Sequence, residues 1–185
     1  YGVASTVGLM MCHVFGVRDQ RAYPFAVDLG VAMQITNIAR DILEDAERDR
    51  LYVPSTLLDA PVSCEGLTRG DADQRANAYQ GAMRMLDIAD EYYASAALGY
   101  GYLPPSVRQA IKVAARLYQA IGEKVSRNET AYWQRRTVVS TERKCLLIAE
   151  LFVQRMRDGS STLKVGKYQH AEHLHLALDQ RRFTA

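Results

Sequence analysis

Three carboxylates, Asp41, Glu44 and Asp45, stand close together in the run ARDILEDAERDR. In a helix, side chains at i, i+3 and i+4 share one face, about 5–6 Å apart. Like charges at that spacing repel, so something positive must offset them. One solution is a solvated acidic face in which Glu44 pairs with Arg48 at i, i+4. The other is a bound cation. Helical steps backward along the same face reach Asn37 and Gln34, both within the apolar stretch FAVDLGVAMQITNIA. An unpartnered amide buried there would cost about 1–3 kcal/mol. A stripe of oxygen-bearing side chains suits Mg²⁺, with Mn²⁺ as a substitute, held by one or two carboxylates plus phosphate oxygens and water. Arg40, Arg48 and Arg50 surround the cluster, and planar guanidinium forks grip phosphate well. A Mg²⁺–diphosphate site therefore outweighs the solvated face.

Such a stripe needs a long helix to carry it, and apolar residues recur at helical spacing through the whole chain. The first helix covers Tyr1 to about Phe15, and we expect it to be buried in a helical core. Pro24 suits the first turn of a second helix running to about Asp49. Ala60 to Gly70 reads as a loop, followed by helices from Asp71 to about Leu98 and from Pro104-Pro105 to about Arg127. Asn128 to Ser140 reads as a polar connection, and a last helix covers about Thr141 to Arg157. The expectation is an all-α domain over residues 1–158. A polar tail, partly disordered, follows over residues 159–185.

Composition excludes several classes. The 185 residues carry 23 Lys and Arg against 21 Asp and Glu, with 48% apolar residues. That is the balance of a folded globular domain, and it excludes disordered, collagen-like and disulfide-stapled chains. A net charge of +2 gives no footprint for nucleic acid. Cys12, Cys64 and Cys145 lie far apart with no metal-ligand spacing, and read as reduced thiols of a cytoplasmic protein. The uncharged run from Tyr1 to Val17 is short for a membrane span and lacks a basic leader.

The run YGVASTVGLMM, followed by DLGVAMQITNIARDILEDAERDRLYVP, resembles the squalene/phytoene synthase family. YLPPSVRQAIKVAARLYQAIGEKV and YWQRRTVVSTERK resemble it too, in the same order. Ala39 in TNIARDI leans toward the phytoene branch. The resemblance implies an isoprenoid synthase helical bundle around a central apolar cavity. It also implies head-to-head joining of two geranylgeranyl diphosphates, through a cyclopropylcarbinyl diphosphate, to phytoene. By the same resemblance Asn37, Asp41 and Asp45 would be Mg²⁺ ligands supported by Glu44. Arg40, Arg50, Arg135 and Tyr52 would hold diphosphate, and Gln34 would lie at the cavity's polar edge. Tyr118 would face the departing diphosphate, and Val3, Val7, Gly8, Ala26, Gly30 and Met33 would line the prenyl channel. The phytoene branch needs no nicotinamide cofactor. The implied partner is a prenyl diphosphate, with peripheral contact at a membrane because substrate and product are oily.

The family carries a first aspartate-rich helix that has no equivalent here. Asp87, Asp90 and Glu91 repeat the i, i+3, i+4 spacing but lack neighbouring amides and arginines. The expectation is a fragment without its N-terminal helices, inactive alone. Two competing readings are a squalene- or hydroxysqualene-type synthase using farnesyl diphosphate and a non-catalytic helical interaction module.

Overall fold

Prolines, polar caps and left-handed residues set the ends of the helices. In the computed structural model, which describes residues 2–157 and 170–175, the helices are α1 (Gly2–Val14), α2 (Tyr23–Arg40), α3 (Ile42–Ala46), α4 (Cys64–Arg69), α5 (Ala72–Leu98), α6 (Pro105–Val125), α7 (Glu129–Gln134) and α8 (Thr141–Arg157). No strand occurs among the described residues, so the fold is all-α as expected. Pro24 and Pro105 occupy first turns, where a missing N–H costs nothing. Asp71 caps α5 by accepting from the Gln74 N–H, as short oxygen-bearing side chains do.

Two stretches read as loops contain helices. Within Ala60–Gly70, Ser63 accepts from the Gly66 N–H and Gly70 closes α4 at φ 84°. Within Asn128–Ser140, Asn128 accepts from the Ala131 N–H and starts α7. Both helices are six residues long, too short for apolar periodicity to show, and only their caps announce them.

The second helix also departs from expectation. It does not run unbroken to Asp49 but is interrupted at Asp41, whose φ and ψ are −104° and 16°. The turn is kept, because the Asp41 N–H still reaches the Asn37 carbonyl at 3.0 Å and the Asp45 N–H reaches the Asp41 carbonyl at 2.8 Å. At the junction the Tyr132 hydroxyl donates to the Ala39 carbonyl at 2.7 Å. Past α3 the Asp49 N–H bonds the Ala46 carbonyl and the Arg50 N–H the Asp45 carbonyl, with Asp49 left-handed at φ 56°. This is the paired closure of a helix C-terminus, made with Asp where glycine is usual.

α2 is the central element, packed against α1, α5 and α6. Its α1 seam is close: a Cβ on Gly8 would meet the Ala26 carbonyl, and one on Gly30 the Ala4 carbonyl, with the carbonyl carbons 2.9 Å away in each case. The largest core cluster lies under α3 and α7 and includes Ala39, Ile42, Leu67, Met85, Val125 and Tyr132. A second joins α2, α5 and α6 through Val31, Ala32, Ala89, Tyr93 and Ala115.

α1 is not buried in a core. Val3 is 80% exposed, Met10 60% and Val14 73%, because among the described residues only α2 covers it along its length. Of the tail, residues 170–175 are described and pack on the helices. Leu174 packs into the second cluster, and Tyr92 donates to its carbonyl at 2.7 Å. The expectation of a partly disordered tail otherwise falls on residues 159–169 and 176–185, outside the described residues.

Candidate functional site

One face of α2 changes character along its length. Ala22, Phe25, Ala26, Leu29, Gly30 and Met33 line an apolar cavity of about 240 Å³, walled also by α1 and by Tyr100, Tyr102 and Leu103. The spacing of three and four continues to Asn37, Arg40 and Asp41 on that face. From Met33 to Asp41 the helix rises about 12 Å. An apolar surface and a charged end are thus successive parts of one element.

Of the six residues expected to line a prenyl channel, Val7, Gly8, Ala26, Gly30 and Met33 line this cavity. Val3 does not, and points to solvent. Gly8 and Gly30 have a second reason to be glycine, the close α1–α2 seam. Gln34 is exposed and lines neither the cavity nor the charged cleft. Its burial was inferred from apolar neighbours, but it lies at the edge of the buried face. Asn37 is half-buried. The polar side chains that α2 does bury are Asp28 and Thr36.

The acidic cluster is held by arginines. Arg40 donates through Nε to Asp41 Oδ1 at 2.7 Å and pairs with Oδ2 as well. Arg136 reaches Asp41 Oδ1 at 3.2 Å and Glu44 Oε2 at 3.3 Å, bridging the two acids. The Glu44–Arg48 pair is also present, at 3.3 Å. Burial pushes the Asp41 carboxyl up, but the hydrogen bonds from Arg40 and Arg136 outweigh it and hold Asp41 below the usual carboxylate range. Asp45 goes the other way. Burial and then the Asp41 charge raise it, against the opposing pull of Arg48 and Arg50.

Asp45 therefore carries an unusual linkage. A carboxyl with a raised folded pKa adds stability that is present below its unfolded pKa and lost as pH rises through the folded value. Asp45→Asn is expected to raise the thermal midpoint at neutral pH, with the gain shrinking as pH falls through the carboxylate range. The same change is expected to weaken Mg²⁺ binding. A midpoint difference that stays flat with pH would contradict the linkage.

Arg40, Leu43, Glu44, Glu47, Tyr132, Gln134, Arg135 and Arg136 line a cleft of about 160 Å³. Arg135 thus lines the same cleft as Arg40 and Glu44. Arg136, which contacts the acids directly, was not singled out in the sequence. Arg135 is extended, with φ −161° and ψ 153°, and both it and Arg136 line the cleft. Tyr132 was missed too. Its ring lies 5.4 Å from that of Tyr79 and 4.7 Å from that of Trp133, and Arg75 lies over Trp133 at 5.3 Å. This aromatic group fixes α7, and Arg135 and Arg136 follow directly on its C-terminus. Tyr132→Phe removes the hydroxyl from the buried Ala39 carbonyl and should cost about 1–3 kcal/mol in urea unfolding.

Tyr118 packs beside the second cluster, and its field acts on Arg40. Arg50 is exposed, with its charge acting on Asp45. Tyr52 is 51% exposed and lies in neither cleft nor cavity. Asp87 and Asp90 line a separate cleft with Glu123, of about 130 Å³.

Among the described residues, no three acidic, histidine or cysteine side chains are gathered closely enough to hold a metal by themselves. Asn37, Asp41, Glu44 and Asp45 nevertheless fit a hard divalent cation in kind, since all four offer only oxygen donors to it. Their number and spread suit an ion that completes its shell with diphosphate oxygens and water. No described helix is long and apolar enough to cross a membrane.

The squalene/phytoene synthase family model matches residues 1–143. The 15-cis-phytoene synthase of Enterobacter agglomerans is 42% identical over 151 residues, covering 80% of this chain and 50% of the relative. A phytoene synthase of Pseudescherichia vulneris is 42% identical over 149 residues, covering 80% and 48%. The 15-cis-phytoene synthase of Pantoea ananas is 38% identical over 164 residues, covering 85% and 52%. The chain spans about half the length of these relatives.

Proposed function

The chain belongs to the squalene/phytoene synthase family, and on that premise we propose that it serves the head-to-head condensation of two geranylgeranyl diphosphates to phytoene, in carotenoid biosynthesis. The observation that carries this reading is the continuous face of α2, apolar from Phe25 to Met33 and polar from Asn37 to Asp41. An amphipathic substrate with an oily tail and a diphosphate head matches that division. Arg40, Arg135 and Arg136 converge on one cleft and are suited to grip the diphosphate as it departs. Asn37, Asp41 and Asp45, supported by Glu44, would hold Mg²⁺. When bound, Mg²⁺ supplies positive charge to the leaving diphosphate.

The rest falls to the apolar wall and its aromatic rings. Loss of diphosphate leaves an allylic cation, and the second substrate's double bond captures it. Loss of a proton to the released diphosphate closes the ring of a cyclopropylcarbinyl diphosphate; a second ionisation, rearrangement and proton loss then give phytoene. Water would quench that cation, and the wall excludes it. Tyr100 and Tyr102 line the cavity and can offer ring faces to positive charge. Burial pushes the Tyr100 hydroxyl up to about 12, so it keeps its proton and cannot be a base at neutral pH. Tyr118, beside Arg40, faces the head-group end in this reading. Substrate delivery would be peripheral at a membrane surface.

The test is thermal unfolding of the chain with Mg²⁺, pyrophosphate, or both. A ligand that binds only the folded state raises the midpoint, and we expect the large rise only with both. No shift with the pair, nor with geranylgeranyl diphosphate and Mg²⁺, would reject the reading in favour of an interaction module. Product analysis with geranylgeranyl and farnesyl diphosphates then separates phytoene from squalene-type chemistry.

A further inference from the structure

Asp28 is fully buried in α2, on an element otherwise given to the cavity, and the proposed chemistry does not use it. Burying a carboxylate is costly unless it is paired and hydrogen-bonded. Ser95 donates its hydroxyl to Asp28 Oδ2 at 2.6 Å, and His170 Nε2 lies 2.7 Å from the same oxygen. His170 comes from the segment 170–175, beyond the residues matched by the family. Its ring also meets Phe25 edge-on, with centroids 5.2 Å apart at 73°. Phe25 is a wall of the apolar cavity and stacks on Tyr102, another wall residue, at 6.0 Å. Four residues on, Leu174 packs among Val31, Ala89 and Tyr92, and its carbonyl accepts from the Tyr92 hydroxyl at 2.7 Å.

Segment 170–175 thus makes two kinds of attachment at once. Its polar contacts fasten it to α2 through Asp28 and to α5 through Tyr92. Its imidazole ring presses on the outer side of a cavity residue. We propose that His170 is a positioning residue: anchored on Asp28, it fixes the ring of Phe25 and so sets the shape of the apolar cavity, with Leu174 clamping the segment in place. The device belongs to the C-terminal segment of this chain rather than to the family-matched part. It deepens the proposed function, because the shape so fixed would govern which prenyl length is accepted.

Three substitutions separate the parts in the intact chain. His170→Gln keeps a donor for Asp28 but removes the ring, His170→Phe keeps a ring but removes the donor, and Leu174→Glu opposes docking. Leu147→Ala, in the separate α6–α8 cluster, serves as a control for lost stability alone. Hydrogen exchange and binding of farnesyl and geranylgeranyl diphosphates with Mg²⁺ are the readouts. Leu174→Glu should speed exchange in residues 170–175 at least tenfold. His170→Gln should change the ratio of the two affinities at least threefold, while His170→Phe changes it less and Leu147→Ala leaves it unchanged. An unchanged exchange rate in Leu174→Glu would overturn the docking. An unchanged affinity ratio in His170→Gln would overturn the positioning role even if docking holds. If the unaltered chain binds neither diphosphate, the functional reading fails. Exchange at α2 residues 22–30 in His170→Gln then decides the inference: faster exchange there supports it, and no change rejects it.

Discussion

Asp41→Asn is expected to abolish the midpoint rise that Mg²⁺ and pyrophosphate produce together, with a loss of affinity of at least about 100-fold. That exceeds the roughly 10–100-fold cost of removing a partner that only supports a metal ligand. Asp41 is the carboxylate shared by Arg40 and Arg136, whose hydrogen bonds hold it below the usual carboxylate range. Asparagine keeps the size but carries no charge, so Arg40 loses its paired carboxylate and Arg136 is left with Glu44. In the proposed site Asp41 would hold Mg²⁺, and Arg40 and Arg136 would then be available to pair with a diphosphate in the cleft they line. Each ligand should therefore raise the other's affinity by the same factor, as linkage requires. Urea unfolding separates this effect from loss of fold, since Asp41 is on the rim of the core and not in it. An Asp41→Asn protein that keeps the full joint midpoint rise would remove Asp41 from the metal site.

Gly30→Ala is expected to have the largest effect on the fold. A methyl in an exposed helix normally gains about 1 kcal/mol over glycine. Here it would strike the Ala4 carbonyl, whose carbon lies 2.9 Å from the new atom. Overpacking costs about 1–3 kcal/mol and sometimes more, and the obstacle is backbone, which cannot swing aside. The penalty wins, and the relief available is movement of the whole of α1. Because α1 is one wall of the cavity, the variant should lose about 2–3 kcal/mol in urea unfolding and expose α1 to fast hydrogen exchange. Gly8→Ala should behave alike, since its Cβ meets the Ala26 carbonyl across the same seam. Unchanged stability in both variants would contradict the close crossing.

The long helices were legible because α2, α5 and α6 are long enough to repeat their apolar spacing. The stripe through Asn37, Asp41 and Asp45 was legible for the same reason, although the backbone interrupts it at Asp41. What escaped depends on partners distant in sequence. Tyr132 fastens the break at Ala39 from 93 residues away, and Arg136 reaches Asp41 from 95. Asp28 looked like one polar residue among apolar ones until His170 and Ser95 were seen to meet it. The exposure of α1 was misjudged for a different reason. An apolar sequence shows that a surface would gain by being covered, but not whether the chain supplies the cover.

Those long sequence separations bear on the order in which the molecule assembles. Closing a loop costs entropy that grows with its length, so the α2–α7 contact should form after neighbouring helices have met. The cleft lined by Arg40, Tyr132 and Arg136 then belongs to the last step of folding and to the first step of opening. Tyr132→Phe should accelerate unfolding while leaving the folding rate almost unchanged, as expected for contacts absent from the transition state. The arginine cleft would accordingly come apart and reform many times within the lifetime of a single folded molecule.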